Sequence, residues 1–177
     1  NRITNEKAVA DMLKINKTSA TSYSPTSKLV ILECKNLFNK YMVDKNFDEI
    51  IVGETASFSR KISEADIWDF TSLSGDQKPL HTDEAYAKET KFGGRIVHGM
   101  FLATLVSQLA GMYLPGKHCL LLSEELVFKL PARINDEILV VGTVIAKSQS
   151  TKIIEIKIEI KRGPDLLVEG AIKTQIL

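Results

Sequence analysis

A chain of 177 residues, 44% hydrophobic and 25% charged, is long enough to bury a core and fits one domain with an appendage. Its 23 basic and 22 acidic residues leave a formal net charge of +1, which argues against nucleic acid as a strong electrostatic partner. No apolar run reaches the roughly 20 residues that cross a bilayer, and no signal-peptide apolar region opens the chain, so the expectation is no membrane span and a cytoplasmic location.

Residues 1–46 read as an N-terminal extension. Ala8 to Leu13 fits a short helix, and the run from Thr18 to Ser27 is rich in small turn-forming residues, as in a linker. Between Leu29 and Val43 the apolar residues fall at helical spacing and predict an amphipathic helix. The chain begins at Asn1 rather than Met, which points to a trimmed piece of something longer.

From Phe47 to Leu177 the pattern becomes that of a compact α+β domain. Thr55 to Lys61 alternates as a strand. Ser63, followed by Glu64 and Asp66, opens a helix to about Leu73 with Ile67, Phe70 and Leu73 on one face, and Gly75 ends it. Pro79 is expected to keep the next loop from being helical. Thr82 or Asp83 then caps a shorter helix through Lys88, and Phe92-Gly93-Gly94 forms a turn.

From Gly99 to Met112 apolar groups occupy most of a helix circumference, so this helix is expected to be buried on nearly all sides. Thr104, Ser107 and Gln108 form one narrow polar stripe able to line a cavity. Four strands follow, at about Leu120–Lys129, Glu137–Lys147, Ile153–Lys161 and Leu166–Gln175, with a hairpin turn at Gly163-Pro164-Asp165. One helix embraced by a long antiparallel sheet is the arrangement that this order implies.

Chemistry concentrates in Ser74-Gly75-Asp76-Gln77-Lys78-Pro79-Leu80-His81 and in Ile96-Val97-His98-Gly99-Met100. A carboxylate and an imidazole five residues apart, ahead of a helix with free amides, suit water adding to an activated double bond, or its reversal. Taken singly, Asp76 after a glycine is commonly a turn residue and His81 an ordinary residue at a helix start. His98 reads as a packed histidine that shapes the turn, without a chemical role. Cys34 and Cys119 lack a CxxC spacing and read as reduced thiols. No Cys and His cluster indicates a metal, and no glycine fingerprint a dinucleotide, so no cofactor is expected.

These two motifs, with Leu114-Pro115-Gly116-Lys117 and Phe128-Lys129-Leu130-Pro131 ahead of Asp136-Glu137, closely resemble the MaoC-like (R)-specific enoyl-CoA hydratases over about residues 47 to 177. The resemblance implies a hot-dog fold, a homodimer, and reversible hydration of a trans-2-enoyl thioester to a (3R)-3-hydroxyacyl thioester, with coenzyme A present only as part of the substrate. It assigns Asp76 and His81 as the catalytic pair and Gly99 as the glycine whose N–H faces the thioester carbonyl. Ser107 matches a supporting active-site serine, and Pro79 and Met100 sit inside the matched motifs as substrate-binding positions. Where the family pattern has asparagine, this chain has Lys78.

Hydration needs a base and an acid at neighbouring atoms. His81 is expected to take the water proton, and Asp76 to orient the water and handle the proton delivered to C2. A carrier-protein thioester is the alternative substrate. A catalytically weak acyl-thioester-binding domain, tethered by residues 1–46 to another enzyme, and a thioesterase are the competing readings. Trp68, Phe70 and Phe92 read as core or dimer packing, and Lys117, Lys129 and Arg133 as solvated surface rather than contacts to coenzyme A phosphates.

Overall fold

A computed structural model describes residues 42–177. The expected helices over 8–13 and 29–43 and the linker over 18–27 lie outside the described residues, except that Met42 and Val43 are irregular backbone. Asp44–Leu177 forms one compact unit. Among the described residues no helix is long and apolar enough to cross a membrane.

After a 3-10 turn at Phe47–Glu49 come β1 (Thr55–Lys61), α1 (Glu64–Ser74), α2 (Pro79–Thr82), α3 (Glu84–Lys88), α4 (Gly99–Met112) and β2 (Cys119–Phe128). The chain closes with β3 (Glu137–Ser148), β4 (Ile153–Arg162) and β5 (Asp165–Ile176). The strands make one sheet in the order β1-β3-β4-β5-β2, and every neighbouring pair is antiparallel. Hairpins join β3 to β4 and β4 to β5. The two edges, β1 and β2, are the strands on either side of the helical segment in sequence.

The alternation in β4 puts Ile154, Ile156, Ile158 and Ile160 on the dry face, each fully buried. An isoleucine side chain removed from water in this way contributes roughly 1.5–3 kcal/mol. Leu102, Leu105, Val106 and Leu109 of α4 complete the same core. Leu109 of α4 packs directly on Gly142 of β3, where an added Cβ would stand 2.6 Å from Leu109 Cδ2 and 3.1 Å from Ile156 Cγ2. A sheet wrapped around one central helix is the hot-dog arrangement.

Three local expectations need correction. Pro79 does not prevent a helix but starts one: it occupies the first position of α2, where its fixed φ suits the turn and its missing N–H costs no bond. In α1 the buried residues are Ile67 and Thr71, while Leu73 is 83% exposed, because the helix is only three turns long and its last turn runs past the core. And α4 is not buried all round. Met100 is 63% exposed, and Thr104 and Ser107 are exposed with it, so one stripe of the helix faces outward.

Candidate active site

The loop between α1 and α2 owes its shape to short-range polar bonds. Gly75 ends α1 in the left-handed region (φ 76°), a conformation that glycine adopts without a Cβ penalty. The Ser74 hydroxyl then donates to the Phe70 carbonyl at 2.7 Å and accepts the Asp76 N–H at 3.1 Å. Asp76 in turn accepts the Lys78 N–H on its carboxylate at 3.2 Å, a turn of the kind aspartate makes with the backbone two residues on. Asp76 and Lys78 are exposed.

One turn later α2 carries His81 inward, where it is 8% exposed. Its Nδ1 lies 2.8 Å from the Ile96 carbonyl oxygen. A carbonyl can only accept, so Nδ1 carries a hydrogen, and in the neutral ring the lone pair is on Nε2. The strip that holds this carbonyl is pinned on both sides: the Ile96 N–H donates to Leu80 O at 3.3 Å and the Val97 N–H to Ala132 O at 2.8 Å. His81 therefore has a defined tautomer and a fixed ring.

His98, 2% exposed, ends that strip and stacks on His81 with ring centroids 3.9 Å apart and planes tilted by 32°. Its Nε2 donates to the backbone carbonyl of Asp76 at 3.0 Å, and Phe70 backs it from α1 at 5.0 Å. Burial, aided by the nearby His81, holds the His98 imidazole below the usual histidine range, against the opposing pull of Asp76. It is neutral at pH 7, with a bare and buried Nδ1. Sequence reasoning gave this residue no chemical role. A histidine set between Val97 and Gly99, in an otherwise apolar run, was the available signal.

Donor atoms of Asp76, His81 and His98 all lie within 4.8 Å of one another. Two hydrogen bonds of about 2.8 Å through one water oxygen span such a gap. These three residues also make up the cluster that donor chemistry would first offer to a metal ion. One nitrogen of each ring is already engaged, His81 Nδ1 by the Ile96 carbonyl and His98 Nε2 by that of Asp76.

Gly99 opens α4 beside this group. The Phe101 N–H bonds back to His98 O at 3.1 Å, whereas no carbonyl among the described residues takes up the amides of Gly99 and Met100, which stand at the positive end of a 14-residue helix. Phe128 lies over this point, so close that a Cβ on Gly99 would stand 3.3 Å from its ring. Ser107 sits on the outward stripe eight residues further on, roughly 12 Å along the axis at 1.5 Å per residue. The structure thus brings Asp76, His81 and Gly99 to one end of α4, with Pro79 and Met100 flanking them and Ser107 two turns away. On the far side of Phe70, a cleft of about 250 Å³ opens between α1 and α4, lined by Asp69, Leu73, Phe101 and Thr104.

The family model described as a MaoC like domain matches residues 49–162. The chain belongs to the MaoC-like dehydratase family. An (R)-specific enoyl-CoA hydratase of Rhodospirillum rubrum is 36% identical over 70% of this chain and 86% of its own length. The protein of the same description from Aeromonas caviae is 46% identical over 49% of this chain and 65% of its own length. The solved (R)-hydratase of A. caviae superposes with a TM-score of 0.71 at 37% identity, covering 73% of this chain and 98% of that one. Both MaoC-like motifs, Ser74 to His81 and Ile96 to Met100, fall inside the matched residues.

Proposed function

We propose that the chain is a hydro-lyase that adds water reversibly to a trans-2-enoyl-CoA, giving the (3R)-3-hydroxyacyl-CoA. One observation carries the proposal: Ile96 holds the Nδ1–H of His81, which leaves Nε2 as the ring's free base, and a His81 ring nitrogen lies within 4.8 Å of an Asp76 carboxylate oxygen, a gap that one shared water spans. His81 takes a proton from that water as its oxygen bonds to C3. Asp76 orients the water, and the proton that His81 has gained passes by way of Asp76 to C2, so that both groups end as they began. The dehydration runs the same steps backwards.

As C3 is attacked, negative charge gathers on the thioester oxygen. Preorganised donors at such a site are worth about 100 to 1,000-fold in rate per donor. The free Gly99 amide at the start of α4 is the donor assigned to this oxygen. Pro79, Met100 and Ser107 border the path of the substrate, the last two along the outward stripe of α4. The chemistry asks for no metal or redox cofactor, and coenzyme A enters only as part of the substrate.

A homodimer belongs to this reading, with β2 as the contact edge, and so does a cytoplasmic place in fatty acyl metabolism. The test is loss of enoyl-thioester absorbance with crotonyl-CoA, and with the same acyl group on a carrier protein. Turnover of the coenzyme A ester, yielding the 3R alcohol, is the expected result. Preference for the carrier ester moves the reading to a hydroxyacyl-carrier-protein dehydratase. Binding without turnover of either ester removes the catalytic assignment, and release of free thiol replaces it by thioester hydrolysis.

A further inference from the structure

His98 touches both groups that flank the water site. Its Nε2–H holds the Asp76 carbonyl at 3.0 Å, and its ring lies against His81 at 3.9 Å. Loop and base come from different turns of the chain, and the His98 side chain contacts both. We propose that His98 is a positioning residue for the hydration reaction: its Nε2–H fixes the Asp76 backbone while its ring supports His81. This rests on the functional reading above.

The neutrality of His98 follows from the surroundings as well as from burial. His81 faces His98 on one side and the uncharged Phe70 packs from α1, while the charge of Asp76 pulls in the opposite sense. A proton gained by His81 during the reaction is tolerated because the ring stacked on it carries no charge. A charged His98 would set two cations against each other, in the geometry where their repulsion is largest.

Two substitutions separate this role from plain packing. His98→Gln keeps an amide N–H near the place of Nε2 but loses the ring, whereas His98→Phe keeps the ring and loses the donor. Positioning requires kcat to fall about 10 to 100-fold in His98→Phe, in line with the cost of a misplacement near 1 Å, with KM changed less than about threefold. It also requires His98→Gln to be the more active variant. If His98→Phe equals or exceeds His98→Gln, the ring matters and the donor does not, and the proposal fails.

Imidazole nitrogen NMR of the unmodified protein gives a readout independent of turnover and of variant folding. A neutral Nε2–H tautomer is expected for His98 at pH 7, and still at pH 6.5, the ordinary midpoint of a free imidazole. An Nδ1–H tautomer or a charged ring at pH 7 overturns the assignment. Should the protein turn over no enoyl thioester at all, the functional reading fails, and the tautomer still decides whether His98 is the neutral clamp described.

Discussion

Asp76 and His81 are held by different means, so substitutions at the two residues fail for different reasons. In Asp76→Asn the side-chain oxygen can still accept the Lys78 N–H, so the loop keeps its turn and loses only the charge. His81→Ala removes a buried ring with its bond to Ile96. Each variant is expected to lower kcat by at least about 100-fold, the usual scale of a general acid or base. Steady-state assays beside circular dichroism check both, with Asp76→Asn unchanged in thermal midpoint and His81→Ala measurably lower. Wild-type turnover in either variant removes the proposed role.

At the same scale, the nearness of Asp76 and His81 was legible because they stand five residues apart in one loop. His98 was not. Its role depends on Phe70 in α1, on the backbone of Asp76 and on a ring five residues after Asp76, contacts that exist only once the loop, α2 and α4 have come together. Lys78 shows the reverse case: its departure from the family pattern is plain in the sequence, while in the structure its side chain is exposed. Lys78→Asn is accordingly expected to leave stability within about 0.5 kcal/mol in urea melts, as surface changes generally do.

Among the elements, the strands were the most legible because period-two alternation needs no knowledge of partners. β1 begins and ends where the alternation does, and the later strands differ from expectation by no more than one residue at each end. The outward stripe of α4 was harder to read. A helix apolar on most of its circumference gives no sign of where the sheet stops covering it, and here coverage stops short of Met100, Thr104 and Ser107. On the covered side, the Leu109 side chain fills the space that a methyl group on Gly142 would need. Gly142→Ala is expected to cost about 1–3 kcal/mol by overpacking. Chemical unfolding should show a lower midpoint with an unchanged slope, and an unshifted midpoint would mean that α4 can slide over the sheet.

For the whole molecule, the informative surface is β2. Beyond the bulge at Leu122, its residues Glu124 and Phe128 oppose Ile172 and Val168 of β5, both buried, so they point to the core side of the sheet. Yet Phe128 is 46% exposed, because α4 covers the middle of the sheet and not this edge. Partial burial already pushes the Glu124 carboxyl up. Leu120, Leu121, Leu122, Val127 and Leu130 are exposed on the same strand and just beyond it, and an edge of this length, unpaired among the described residues, invites another strand. A second copy that pairs through β2 would cover this edge and the outward stripe of α4 together, with the same patch serving both partners. Light scattering is therefore expected to give twice the 19.7 kDa chain mass, with a thermal midpoint that rises with protein concentration. Leu121→Lys combined with Leu122→Lys places two charges on that edge, at positions already exposed in the single chain, and should yield a folded monomer with a concentration-independent midpoint. A mass equal to one chain for the unmodified protein, or a dimer that survives both lysines, would assign the contact to another surface or to none.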